Sequence, residues 1–209
     1  MRRALAFFGA FNPPTIAHLA LAEFAMKAVG EDCVVFVPSK SAYIEDEQGK
    51  SYAFSDDGRL DMLRAAAAKR PWMAVSDCEL RAEHQPRTYD TLCRLRDTGL
   101  QARLLMGSDK LPELERGWRH AEEICREFGI VCLTRGADAC AQLIAEDGYL
   151  RGLSPYIQVL ETPAPLHDVS STAVRERLRQ VRALQRQIRA MVPNEILPLL
   201  SIGGTDDET

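Results

Sequence analysis

No apolar run in the 209-residue chain approaches the length needed to cross a bilayer, so no membrane partner is expected. Positive charge is not in excess either. The 26 Lys and Arg residues stand against 30 Asp and Glu, a formal net charge of −4, which argues against general nucleic-acid binding and makes any phosphate site positive only locally. The cysteines Cys33, Cys78, Cys93, Cys125, Cys132 and Cys140 contain no CxxC pair. They read as small apolar residues of a reducing, cytoplasmic setting rather than as a disulfide frame or a zinc site. There is no internal repeat and no carboxylate cluster of the kind that holds a metal. Arg2-Arg3 precede an apolar stretch that Gly9 and the prolines cut short, so a secretory signal is not expected.

What is present is the balance of a globular domain, 46% hydrophobic and 27% charged. Strand candidates recur with helical patterns between them: Ala4 to Phe8, Cys33 to Val37, Trp72 to Val75, Ala102 to Met106, Ile130 to Thr134 and Tyr156 to Leu160. That rhythm predicts βαβ units and an α/β fold with a Rossmann-like, doubly wound parallel sheet. Helices are expected over Ile16 onward, Gly58 to Lys69, Tyr89 to Asp97, Arg119 to Phe128, Ala137 to Glu146 and from Val174. Ser39 to Asp57 reads as one long loop. The expected organisation is a domain over 1–168, a helical C-terminal segment over 169–202 and a frayed tail over 203–209.

The most informative stretch is Ala4 to Leu21, ALAFFGAFNPPTIAHLAL. The run Ala4 to Phe8 fits a strand buried on both faces, and Gly9 ends it where a side chain would block a ligand. Asn12-Pro13-Pro14 forces a non-helical passage, because the prolines cannot donate and restrict the residues before them. Thr15 then fits an N-cap, placing His18 in the first turn near the positive end of the helix dipole. A second element, Val169-Ser170-Ser171-Thr172-Ala173-Val174-Arg175, follows a strand candidate and opens a helix. Its hydroxyls and first-turn N–H groups suit an anion, and Arg175 adds a planar fork for phosphate oxygens. Further along, Arg179, Arg182, Arg186 and Arg189 continue one face. A solvated face opposite Val174, Leu178, Val181 and Ile188 is preferred there to a polyanion stripe.

GAFNPPTIAHL with VSSTAVR resembles the paired signatures of the HxGH/SSTxxR nucleotidyltransferases. Within them the chain is most similar to the nicotinate or nicotinamide mononucleotide adenylyltransferases. Intermediate landmarks recur in order: Val37-Pro38, Gly49-Lys50, Arg59 to Leu63, Thr88 to Leu92, Met106 to Asp109 with Trp118, and Leu133 to Gly136. The resemblance implies transfer of AMP from ATP to a pyridine mononucleotide, with NAD or its deamido form and pyrophosphate as products. Because the attacking phosphate is already an anion, the protein's task is alignment and charge stabilisation.

By the same resemblance His18 sits at the α-phosphate as an imidazolium, with Arg175 as its partner at the leaving pyrophosphate. Gly9, Phe11, Asn12, Thr15, Lys50, Gly107, Asp109, Ser170, Ser171 and Thr172 serve ATP and its phosphates. Thr88, Trp118 and Arg135 serve the pyridine nucleotide, though Trp118 equally suits a core anchor. Mg²⁺ is implied, held through phosphates and water rather than side chains. Two motif positions depart: Thr15 replaces the first histidine and Ala17 the glycine, which leaves the choice between nicotinate and nicotinamide open. A pantetheine-phosphate adenylyltransferase, a cytidylyltransferase and a non-catalytic nucleotide sensor are the alternatives, and a homo-oligomer is allowed.

Overall fold

In the computed structural model, the structure describes residues 2–46, 54–134, 140–163 and 170–191. Six strands form one sheet: β1 (Arg2–Gly9), β2 (Cys33–Pro38), β3 (Met73–Val75), β4 (Leu100–Gly107), β5 (Ile130–Leu133) and β6 (Ile157–Leu160). Every adjacent pair is parallel and the order is β3-β2-β1-β4-β5-β6, the doubly wound arrangement expected above. The central strands are covered on both faces, which is why β2 is buried from Cys33 to Pro38 and reads as an unbroken apolar run.

The helices are α1 (Ile16–Val29), α2 (Ser41–Asp46), α3 (Asp56–Ala67), α4 (Thr88–Asp97), α5 (Glu113–Gly117), α6 (Ala121–Glu123), α7 (Cys140–Glu146), α8 (Gly148–Leu153) and α9 (Ser171–Met191). A π-helical turn over Ile124–Phe128 continues α6. Side chains alternate across the sheet, so two apolar layers form. Leu5, Val34, Phe36 and Leu105 meet Ala22, Ala25 and Met26 of α1 and Leu63 of α3. Ala4, Ala6, Val35 and Leu104 meet Leu92 and Leu95 of α4, Leu114 of α5, Ile124, and Leu150 and Leu153 of α8.

The expected loop Ser39 to Asp57 is partly ordered by α2. Ile44 is fully buried, and the Ser41 amide and hydroxyl both donate to Asp56. The helix expected over Arg119 to Phe128 is two short turns of different pitch, closed by Gly129 at φ 76°. No helix among the described residues is long and apolar enough to cross a membrane. The chain divides into two compact units, Met1–Ser170 and Ser171–Thr209. The second contains α9, on which Leu178, Val181 and Leu184 are exposed and Val174 is half-buried. The short helix expected after Val192 and the tail lie outside the described residues.

Candidate active site

β1 and β4 lie side by side, yet the helices that follow them pack on opposite faces, α1 on one and α5 on the other. A crevice therefore opens beyond their carboxyl ends, and both ends are glycines, Gly9 and Gly107. A Cβ at Gly9 would come within 3.2 Å of the Phe11 ring, and one at Gly107 within 2.5 Å of Asp109 Oδ1. Each glycine lets the next segment fold back over the strand end.

After Gly9 the chain turns through Phe11 at φ 41° and drops that ring into the core, with centroids 5.4 Å from Phe7, 5.3 Å from Phe36 and 5.3 Å from His18. Phe11 thus shapes the crevice from beneath. Asn12 is also buried, and its Oδ1 accepts from the Phe54 amide at 2.9 Å. Thr15 is the N-cap of α1, as foreseen, but His18 completes the cap. The His18 amide donates to Thr15 Oγ1 at 3.4 Å, while the Thr15 amide donates to His18 Nδ1 at 3.1 Å, a reciprocal box that normally uses Glu or Gln. Oγ1 itself lies 2.7 Å from Nδ1. The Thr15 hydroxyl is turned to the histidine rather than held out for phosphate. The Thr15 amide pairs with Nδ1 as an acceptor, which in a neutral ring leaves the proton on Nε2.

Beside this loop is a hollow of about 280 Å³ that gathers Gly9, Thr88 and Trp118, three residues singled out from sequence. Trp118 also packs against the core, as its reading as a core anchor expects. Arg87 and Arg119 add positive charge to the wall, where Lys110 is paired with Glu113 at 2.7 Å, Tyr43 adds a ring, and Thr88 opens α4 toward the space. Glu79 supplies a buried carboxyl, accepting from Gln85 Nε2 and, at 2.9 Å, from Thr91 Oγ1. Burial pushes its pKa up to about 7, only partly opposed by those two bonds and by Arg94. A larger hollow of about 400 Å³, between Arg103, Phe128, Tyr156 and Gln158, lies at the opposite, amino-terminal edge of the sheet and holds none of the expected residues.

In the second unit Ser171 and Thr172 begin α9, and Arg175 donates to Thr172 Oγ1 at 3.2 Å. Loss of solvent and then the neighbouring Arg179 lower the Arg175 pKa. Ser170 ends the first unit. Lys50 and Arg135 lie outside the described residues.

Residues 6–177 match the family described as cytidylyltransferase-like. The Neisseria meningitidis protein named "probable nicotinate-nucleotide adenylyltransferase" is 34% identical over 190 residues, spanning 85% of this chain and 88% of that protein. One of the same name from Dehalococcoides mccartyi is 31% identical over 183 residues, covering 86% and 87%. The chain belongs to the cytidylyltransferase-like family, among its nicotinate-nucleotide adenylyltransferases. The fold agrees with the Plasmodium falciparum nicotinic acid mononucleotide adenylyltransferase complexed with NaAD, at a TM-score of 0.65 and 16% identity over 84% of this chain and 83% of that one.

As a nicotinate-nucleotide adenylyltransferase the chain carries one element that sequence reading passed over. Arg59, quoted only as a landmark, is completely buried. Its guanidinium donates to the Ala10 carbonyl at 2.6 Å, the Phe54 carbonyl at 3.2 Å, Asp56 Oδ1 at 2.7 Å and the Ser39 carbonyl. It therefore ties together the segments that follow β1 and β2. The available signal was its place on the apolar stripe of α3, four residues before Leu63, where a charge demands several partners.

Proposed function

We propose that this enzyme joins nicotinate mononucleotide to the AMP moiety of ATP. The observation that carries the reading is the hollow beside Gly9 in which Thr88 and Trp118 stand together within a positive wall. Trp118 suits a pyridine ring, and Arg87, Arg119 and the start of α4 suit its carboxylate better than an amide. In this reading Gly107 and Asp109 meet the adenosine, and Ser170, Ser171, Thr172 and Arg175 hold the β- and γ-phosphates.

A phosphate oxygen of the mononucleotide attacks the α-phosphorus of ATP, the bond to the β-phosphate breaks, and pyrophosphate departs. His18 Nε2–H donates to the oxygens on which charge accumulates. Among the described residues no group of three His, Cys, Asp or Glu side chains could hold a metal. Mg²⁺ would arrive with ATP and screen the charge on its phosphates. A cytoplasmic setting belongs to the same reading, supported by six cysteines none of which is in a disulfide.

The test is dinucleotide formation from ATP, Mg²⁺ and either nicotinate or nicotinamide mononucleotide, with a higher kcat/KM expected for nicotinate. Product from neither, with turnover of phosphopantetheine or of a CTP couple, would overturn the reading. His18→Ala should remain folded and lose on the order of a hundredfold in turnover. Unchanged kinetics in that variant would remove His18 from the mechanism.

A further inference from the structure

We infer that Tyr89 and His120 are a positioning pair whose ring stack sets the separation of Thr88 and Trp118 across the hollow. The inference rests on the reading of that hollow as the pyridine-nucleotide site. Thr88 and Trp118 reach it from segments distant in the chain, the start of α4 and the turn between α5 and α6. Tyr89 directly follows Thr88, and His120 follows Trp118 and Arg119. The Tyr89 and His120 rings lie face to face, with centroids 4.9 Å apart and planes inclined by 27°. Each ring has a further hold. The Tyr89 hydroxyl donates to Glu127 Oε1 at 2.9 Å, and its ring meets Phe128 edge-on at 6.0 Å. Arg96 donates to Glu127 Oε2 at 2.9 Å, and His120 Nδ1 lies 3.1 Å from Glu123 Oε1.

The backbone of His120 points the same way. Its φ is 63°, a conformation that crowds any residue with a Cβ and is ordinarily left to glycine. Among the described residues the other non-glycine at positive φ is Phe11, which shapes the crevice from beneath. A glycine at 120 would relax the turn and leave Tyr89 without its partner, so the strain is kept where the ring has a use. That use is preorganisation. A pyridine ring gains from Trp118 only while the indole and Thr88 stand at the right separation. If the two segments drift, only a fraction of molecules can bind, and apparent affinity falls by that fraction. The contacts proposed for ATP use other residues, which confines the effect to the mononucleotide.

The test uses Tyr89→Leu, which removes the ring, Tyr89→Phe, which removes only the hydroxyl, and His120→Asn, which tolerates the left-handed backbone and keeps a donor for Glu123. KM for nicotinate mononucleotide should rise roughly three- to tenfold in Tyr89→Leu and in His120→Asn, the loss of one aromatic pair, with KM for ATP and kcat unchanged. Tyr89→Phe should keep the parent's values, and Tyr89→Leu combined with His120→Asn should be no worse than either alone. In ligand-free protein, the Tyr89 face should shift the His120 ring protons upfield in the parent and in Tyr89→Phe but not in Tyr89→Leu. A lowered thermal midpoint with KM unchanged would mean that the stack only stabilises the surface, and would overturn the inference. So would equal rises in both KM values, an unshifted His120 in the parent, or a Tyr89→Phe variant as impaired as Tyr89→Leu. A parent that transfers adenylyl groups to other acceptors but not to nicotinate mononucleotide would defeat the reading of the hollow itself, and the inference with it.

Discussion

Arg59 shows how much of the crevice depends on one side chain that no substrate need touch. A fully buried guanidinium is stabilised only when its donors are matched, and here the matches are three carbonyls, the Ser41 hydroxyl and a single carboxylate, Asp56. The Asp56 pKa is raised by burial but lowered overall by bonds from Ser41 and Arg59, so the pair is ionised in the neutral range. Arg59→Met would keep the aliphatic stem and leave the Ala10, Ser39 and Phe54 carbonyls and Asp56 without this donor. The expected loss is about 3–5 kcal/mol, read as a lower urea midpoint at pH 7. A loss under about 1 kcal/mol would mean that water or neighbouring side chains replace the guanidinium. Asp56 gives the complementary pH dependence. Its contribution is present above its unfolded value of 3.8 and is lost as pH falls through the lower folded value.

The wall of the hollow between β3 and α4 has little regular structure and is held by side-chain bonds. Glu79 ties it to Thr91 of α4, Gln85 ties it to the Lys40 amide, and Lys40 Nζ donates to the Leu80 and Ala82 carbonyls at 2.8 and 2.7 Å. Holding a buried carboxyl there has a pH signature. In the unfolded chain Glu79 ionises near 4.5, and in the folded chain near 7, so between those values the folded state carries a proton that the unfolded state has lost. Stability should fall as pH rises through that window, by on the order of 3 kcal/mol in total. Glu79→Gln can accept from Gln85 and donate to the Thr91 hydroxyl, so it keeps both bonds and removes the titration. Its urea midpoint should exceed the parent's at pH 8 and approach it near pH 4.5; equal midpoints at pH 8 would show that the ionised carboxyl is already compensated. Such walls explain what the sequence conveyed and what it withheld. β1 and β2 were legible because strands covered on both faces are apolar throughout, and Gly9, His18, Thr88 and Trp118 because they stand in motifs. α2, α5 and α8 span six residues at most, too short for periodicity to register, and form where tertiary contacts such as buried Ile44 hold them. Arg59 and Glu79 were missed because their partners are carbonyls, amides and hydroxyls distant in the chain, which leave no spacing to read.

Across the molecule, the strand order is the doubly wound one that the βαβ rhythm of the sequence predicts. It turns two separate strand-then-glycine segments into neighbours, so that the ends of β1 and β4 bound one crevice while Thr88 and Trp118 line the hollow beside Gly9. If the two nucleotides use distinct groups there, each should stabilise the fold on its own account. A ligand at a hundred times its Kd adds about 2.7 kcal/mol, and for a chain of this size each kcal/mol raises Tm by about 2–4 °C. Mg²⁺ with a non-hydrolysable ATP analogue, and nicotinate mononucleotide alone, should each raise Tm by roughly 5–11 °C at that excess. The two shifts should respond to different substitutions. At fixed ligand concentration Asp109→Ala should diminish the shift from the ATP analogue and spare that from the mononucleotide, whereas Trp118→Ala should do the reverse. Equal losses of both shifts in either variant would mean that the substitution acts through the fold as a whole, and the division of the crevice into two nucleotide sites would have to be abandoned.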